Sequence, residues 1–202
     1  RRRTAGWLAE LSHKEYIGNS TAQFKIAYKR GTGMSDALRA PEEAFGEGTS
    51  RMKIWTANAD VNIPFQIGKQ SFAYDTTIQA QWNKTPLTPQ DKIAIGGRHT
   101  VRGFDGEMSL AAERGWYWRN DLSWQFKQGH QLYLGVDVGH VSGQSAKWLL
   151  GQTLAGATVG VRGQMRAGGN LHYDLFASRA VEKPEYFQTK KWVTGFQVGY
   201  SF

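Results

Sequence analysis

Three observations in the sequence predict an all-β protein built as an antiparallel transmembrane β-barrel. Strand-length segments alternate bulky apolar and polar residues, aromatics gather at segment ends, and the connections alternate between short and long. Eleven residues from Trp116 to Phe126, at ~3.3 Å each and tilted ~45°, climb roughly 25 Å, the height of a barrel's apolar band. Mean hydropathy is −0.52, and no apolar run approaches the ~20 residues of a membrane helix. That value is compatible with a barrel, whose lipid-facing and lumen-facing residues average out. A soluble sandwich also alternates, but 8 Trp and 10 Phe in 202 residues would be unusual for one, on strands whose other face is polar enough for water.

About nine strands are expected, near residues 5–13, 20–30, 51–63, 71–82, 116–126, 131–141, 153–164, 169–180 and 191–202. In the fourth, Phe72, Tyr74, Ile78 and Trp82 oppose Asp75, Thr77, Gln79 and Gln81. In the fifth, Trp116, Trp118, Leu122, Trp124 and Phe126 oppose Tyr117, Arg119, Asp121, Ser123 and Gln125, so Trp116, Trp118, Trp124 and Phe126 are candidate interfacial aromatics. In the sixth, Leu132, Leu134, Val136 and Val138 oppose Tyr133, Gly135, Asp137 and Gly139. The last sets Trp192, Thr194, Phe196, Val198, Tyr200 and Phe202 against Val193, Gly195, Gln197, Gly199 and Ser201. Connections near 14–19, 64–70, 127–130 and 165–168 are short, and those near 31–50, 83–115, 142–152 and 181–190 are longer. Short periplasmic turns opposite long surface loops are the pattern of an outer-membrane barrel. A short helical turn fits Ala40 to Ala44.

Charge and special residues narrow the function classes. The net charge of +8 is scattered, without the patch or helix stripe of a nucleic-acid binder. With no cysteine there is no disulfide framework or thiolate metal site. His13, His99, His130, His140 and His172 lack metal-ligand spacing, so no metal or cofactor is expected. No nucleotide loop or hydrolase elbow is present; His140 near Ser142 is the nearest approach to a catalytic pair, and the reading is not an enzyme. Asn19-Ser20-Thr21 matches a glycosylation sequon by chance in a bacterial outer-membrane setting. The chain opens on Arg1-Arg2-Arg3, and single-chain bacterial barrels have even strand numbers. A nine-stranded reading therefore suggests the C-terminal part of a larger barrel.

One pair of charges stands out. Arg102 lies at the tip of the longest loop, among Gly96, Gly97, Gly103 and Gly106, which favour a segment folded back on itself. Asp137 lies on the polar face of a strand between Gly135 and Gly139, with space above its carboxylate. A guanidinium's planar fork suits a two-bond grip on such a group. A surface arginine and a solvated lumen aspartate carry comparable weight from spacing alone.

VRGF at 101–104, AERGWYWRNDLSW at 112–124 and GVDVG at 135–139 closely resemble the outer-membrane transporters of two-partner secretion. These form the hemolysin-activator-like (TpsB) branch of the outer-membrane assembly and translocation superfamily. LRAPEEAFGEGTSR at 38–51 resembles the preceding surface loop and WVTGFQVGYSF at 192–202 the final strand. The resemblance covers the chain and implies strands 8–16 of a 16-stranded barrel, residues 1–202 being the C-terminal part of one barrel domain. It implies that the POTRA domains, a plug helix and the first strands lie outside this sequence. It also implies a lumen-folded loop, about 83–115, whose motif residues Val101, Gly103 and Phe104 flank Arg102, itself paired with Asp137. Gly135 and Gly139 frame that aspartate, and Tyr200 and Phe202 resemble an assembly signal. A water-filled lumen would be lined by Asp60, Asp75, Gln79, Arg119, Asp121, Asp137, Arg162 and Asp174. The implied function is export of a large β-helical exoprotein (adhesin, hemolysin or contact-dependent toxin) without ATP. The partners would be a TpsA-type client, the barrel-assembly machinery, and outer-membrane lipid with lipopolysaccharide. The alternatives are a barrel-assembly insertase of the same superfamily and a passive diffusion porin.

Overall fold

The structure, a computed structural model, describes residues 4–34, 37–166 and 168–202. The main sheet has nine antiparallel strands in chain order: β1 (Ala5–Ile17), β2 (Ser20–Thr32), β3 (Lys53–Ile67), β4 (Gln70–Asn83), β7 (Arg114–Lys127), β8 (His130–Ser142), β9 (Thr153–Arg166), β10 (Asn170–Glu182) and β11 (Val193–Ser201). β5 (Ile93–Ile95) and β6 (Leu110–Ala112) form a separate hairpin within the long connection. The sequence reading did not resolve this hairpin, because three residues are too few to display a period. In the ladder of the main sheet β1 pairs with β2 and β11 with β10, so the sheet is an open arc. The helical turn expected at Ala40 to Ala44 is a 3-10 helix over Pro41–Phe45.

Most strands run further than alternation alone suggested, while β11 is shorter than the expected 191–202 and leaves Trp192 and Phe202 outside it. The turn-end connections are tighter. β1 passes to β2 through Gly18 and Asn19, and β3 to β4 through Gly68 and Lys69, with both glycines at φ 61°. The expected end of β3 near Ile63 was too early. Proline cannot donate to a ladder, yet Pro64 pairs with Ala73 of β4. Its other side is free of that demand, since the β2–β3 ladder ends at Thr21 opposite Asn62. Past that point β3 is locally an edge.

The two faces differ in kind. The outward face leaves Leu134 59 %, Val136 60 % and Phe196 71 % exposed, as a surface made for lipid would. Asn120 occupies the outward position between Trp118 and Leu122, where a bare amide would be costly in hydrocarbon. The Tyr74 hydroxyl donates to its Oδ1 at 2.6 Å, the Thr76 hydroxyl does so at 3.0 Å, and its Nδ2 donates to the Val136 carbonyl at 3.2 Å. The buried apolar cluster lies on the inward side, where Ile93, Ile95, Val101, Phe104 and Leu110 of the long connection pack with Val141, Leu154 and Phe187.

Candidate functional site

The long connection between β4 and β7 is a built object. A 3-10 turn over Pro89–Asp91 leads into β5, and β6 returns the chain to β7. Between them the tip closes on itself: the Gly97 N–H donates to the Val101 carbonyl and the Thr100 N–H to the Gly97 carbonyl, each at 3.1 Å. Gly103 takes φ 99°, a left-handed conformation in which a side chain would be strained, and its missing Cβ makes room for the Arg179 carbonyl. This turn aims Arg102 into the sheet while Val101 and Phe104 enter the apolar cluster, 0 % and 2 % exposed.

The structure brings Arg102 and Asp137 together on the inward face. Nε donates to Oδ2 at 2.6 Å, Nη2 donates to Oδ1 at 2.6 Å, and the backbone N–H of Arg102 donates to Oδ2 at 2.9 Å. This is a two-pronged grip with a main-chain bond added. Nη2 also donates to Oδ1 of Asp121 at 2.6 Å. The Asp137 side chain is 1 % exposed and that of Arg102 6 %. Burial alone would pull the guanidinium's pKa down; the carboxylates of Asp137 and Asp121 outweigh it and raise it above the ordinary arginine value. Three positions leave space by having no side chain. A Cβ on Gly135 would meet the guanidinium of Arg102, one on Gly139 would meet Val101, and one on Gly156 would strike the Arg102 carbonyl.

The pair belongs to a larger charge ladder. Arg119 Nε lies 4.0 Å from Asp137, and Arg162 Nη1 lies 3.8 Å from Asp121. Arg162 Nη2 donates to Asp75 at 3.0 Å and to Ser123 Oγ at 2.7 Å. Three guanidiniums and three carboxylates therefore alternate across β4, β7, β8, β9 and the loop tip, and their formal charges cancel. The remaining lumen candidates have local partners: Asp60 accepts from Thr77, Gln79 from Tyr117 and Asp174 from Tyr133.

Sequence reading missed the contacts that cap the tip. The connection between β10 and β11 carries Phe187, 0 % exposed, edge-on to Phe104 with ring centroids 5.6 Å apart. Tyr186, at φ 64°, turns the chain so that Phe187 points in, and Lys183 Nζ holds the Phe187 carbonyl at 2.5 Å. Backbone N–H groups of this connection reach the tip as well, Lys190 to Asp105 at 3.0 Å and Gln188 to the Met108 sulfur at 3.3 Å. Glu113, just before β7, accepts from the Ser145 N–H at 3.1 Å and lies 3.5 Å from Lys92 Nζ. Burial pushes its carboxyl up, but hydrogen bonding from Ser145 and the Lys92 charge together hold it below the ordinary range. A lone loop phenylalanine carries no period, so no pattern could have marked Phe187; Glu113 falls within the AERGWYWRNDLSW motif, but its partners Ser145 and Lys92 lie in other connections.

The other named residues lie away from the tip. Trp116, Trp118, Trp124 and Phe126 face outward, 38–47 % exposed, the first two toward the loop end and the last two toward the turn end. Tyr200 and Phe202 are outward at the turn end, their rings 6.3 Å apart. His140 meets Thr153 Oγ1 at 3.0 Å.

Comparison with known proteins gives a consistent set. The family profile described as haemolysin secretion/activation protein ShlB/FhaC/HecB matches residues 1–163. The chain is 40% identical over 194 residues to the outer membrane transporter CdiB-2 of Burkholderia pseudomallei, covering 95% of this chain and 33% of that protein. It is 27% identical over 197 residues to the outer membrane transporter CdiB of Dickeya dadantii, covering 95% and 34%. The solved structure of CdiB from Acinetobacter baumannii superposes with a TM-score of 0.79 at 30% identity, over 96% of this chain and 33% of that one. CdiB from Escherichia coli, at 19% identity, shares the fold with a TM-score of 0.81 over 98% and 36%. The chain thus spans about a third of the length of the relatives it matches. With the antiparallel sheet and its apolar outer face, this match places the chain in the bacterial outer membrane as barrel strands, and the protein belongs to the haemolysin secretion/activation (ShlB/FhaC/HecB) family of two-partner secretion transporters.

Proposed function

We propose that residues 1–202 are the C-terminal part of one barrel domain in the outer-membrane pore of a two-partner secretion system. The pore passes a large β-helical exoprotein, of the adhesin, hemolysin or contact-dependent toxin kind, to the cell surface. The client crosses unfolded, and its folding outside, with no ATP, makes passage one-way. Two relatives are called outer membrane transporters, which supports the transport reading. The observation that carries the loop's role is the Arg102 side chain, 6 % exposed and bonded to both Asp137 and Asp121. In this reading Arg102 and Asp137 lock the 84–113 connection inside the lumen, with Val101, Gly103 and Phe104 shaping the tip and Gly135 and Gly139 giving it clearance. Client selection resides in POTRA domains upstream. Tyr200 and Phe202 are read by the barrel-assembly machinery, and Trp116, Trp118, Trp124 and Phe126 anchor the wall in lipid.

Arg102→Ala in the full-length protein tests this. Removing one partner leaves buried carboxylates uncompensated, at about 3–5 kcal/mol if the site is dry and less if it is wet. Client secretion is expected to fall sharply while the heat-modifiable barrel band stays at its normal level. Normal secretion would overturn the assigned role.

A further inference from the structure

The outward face has a charged row at its loop end that the transport reading does not use. Trp7, Tyr28, Trp55 and Trp82 form a continuous ring ladder across β1 to β4, with successive centroids 5.3, 4.7 and 6.4 Å apart. Aromatic ladders of this kind sit at the membrane–water boundary. Arg30, Lys53 and Lys84 each stand two residues toward the loops from a ladder ring, Tyr28, Trp55 and Trp82 in turn. The strand period of two gives Arg30 and Lys53 the same outward side as the rings, and Lys84 follows directly after the end of β4. Arg30 pairs across the sheet with Lys53, and the Lys84 N–H donates to the Lys53 carbonyl at 2.9 Å. Arg30 and Lys53 at the loop ends of β2 and β3, and Lys84 just past β4, thus lie roughly 5 Å along a tilted strand above Tyr28, Trp55 and Trp82, the depth of lipid phosphates, with Arg30 level with Trp7 on β1.

Two acids of the neighbouring connections are already engaged. Asp91 is held by Lys29 and Thr88, and Glu43 by Thr49 and Ser50. Among the described residues no ion pair is formed by Arg30, Lys53 or Lys84. The turn end of the same outer face is different in character. Phe65, Phe72, Trp124, Phe126, Leu171 and Tyr200 dominate it, with Lys69 in a turn, Lys127 at the last position of β7, and His13 beside Glu15 on β1. The basic row therefore marks one leaflet, the one beside the long loops, which faces the cell exterior.

We propose that Arg30, Lys53 and Lys84 form a docking row for the phosphate groups of the outer-leaflet glycolipid, whose acyl chains lie against the rings beneath. A guanidinium beside two ammonium groups gives a directional grip next to two point charges, suited to a phosphate carried on a sugar headgroup. The proposal rests on the outer-membrane orientation and is independent of the client, because lipid binding is read with no client present.

The test is native mass spectrometry of the full-length transporter in detergent, titrated with bisphosphorylated lipid A, dephosphorylated lipid A or phosphatidylglycerol. The protein is expected to retain bisphosphorylated lipid A in preference to the other two. R30Q/K53Q/K84Q should weaken that retention by about tenfold or more, whereas K53R/K84R should retain it. The heat-modifiable band reports folding for each variant, and K84Q alone, outside the strands, provides a milder second variant expected to show a smaller loss in the same direction. Equal retention by the triple variant, equal retention of dephosphorylated lipid A, or no preference over phosphatidylglycerol would each overturn the proposal.

Discussion

Val136 and Asp137 are neighbours in the chain and opposites in every physical respect. Val136 is an apolar side chain 60 % exposed on the outer face; Asp137 is a carboxylate 0 % exposed on the inner one. In a soluble protein this burial would be reversed. Here the outer face is solvated by hydrocarbon, so an exposed valine costs nothing, while the inner face gathers charges held by opposite charges and by hydroxyl groups. The outer wall is thus tolerant and interchangeable, and the inner site is specific because each charge has a named partner.

The largest expected effect is the one that breaks this contrast at its centre. Asp137→Ala should release the loop tip and sharply reduce secretion, at about 3–5 kcal/mol in the dry limit. Val136→Ala, one residue away, should change secretion and barrel stability by less than about 1 kcal/mol, as lipid fills the space. A cross-link between a cysteine in the 96–109 tip and one on β8 reads the loop position directly. Equal behaviour of the two variants would dissolve the distinction.

Phe187→Ala comes next. It removes the ring packed on Phe104 and leaves a cavity in the apolar cluster, at about 3 kcal/mol. Limited proteolysis of intact cells should cut within 96–109 faster in this variant. Unchanged cleavage would mean that the tip is held from below by Arg102 alone. Asn120→Ala probes a polar network on the outer face and leaves the Tyr74 and Thr76 hydroxyls without their shared acceptor. The expected loss is about 1 kcal/mol, read as a lower urea midpoint in lipid vesicles. No loss would show that the outer wall tolerates polarity as readily as it tolerates valine.

Acid should produce the smallest effect. The Glu113 carboxyl titrates below its ordinary 4.5 in the folded state, so the stability it adds is complete above that value. Protection of the loop from protease should be flat from neutral pH to about 5 and should weaken only as pH falls below about 4. Glu113→Gln should remove that acid limb. Weakening that begins near pH 6 would point to a histidine instead.

The strands were legible because a membrane wall enforces strict alternation with bulky residues on one side, and Trp116 to Phe126 carries that code almost without interruption. The position of Pro64 inside β3 was not legible, since it depends on where the neighbouring β2 stops. The inner site divides in the same way. Arg102 and Asp137 stood out by their glycine surroundings, but Asp121 was one polar lumen residue among several. Its contact with Arg102 depends on how a connection of about thirty residues folds back, which no local period encodes. Phe187 illustrates the limit: one aromatic in a surface connection becomes a fully buried residue only because another loop lies beneath it.

The cancelling charges of the ladder have a consequence for how the tip could leave. With Arg102 withdrawn, the wall keeps Asp75, Asp121 and Asp137 against Arg119 and Arg162, a surplus of one negative charge. Departure of the loop would then leave two carboxylates to be met by water or by a cation from solution, so release of the tip is expected to become easier as dissolved salt increases.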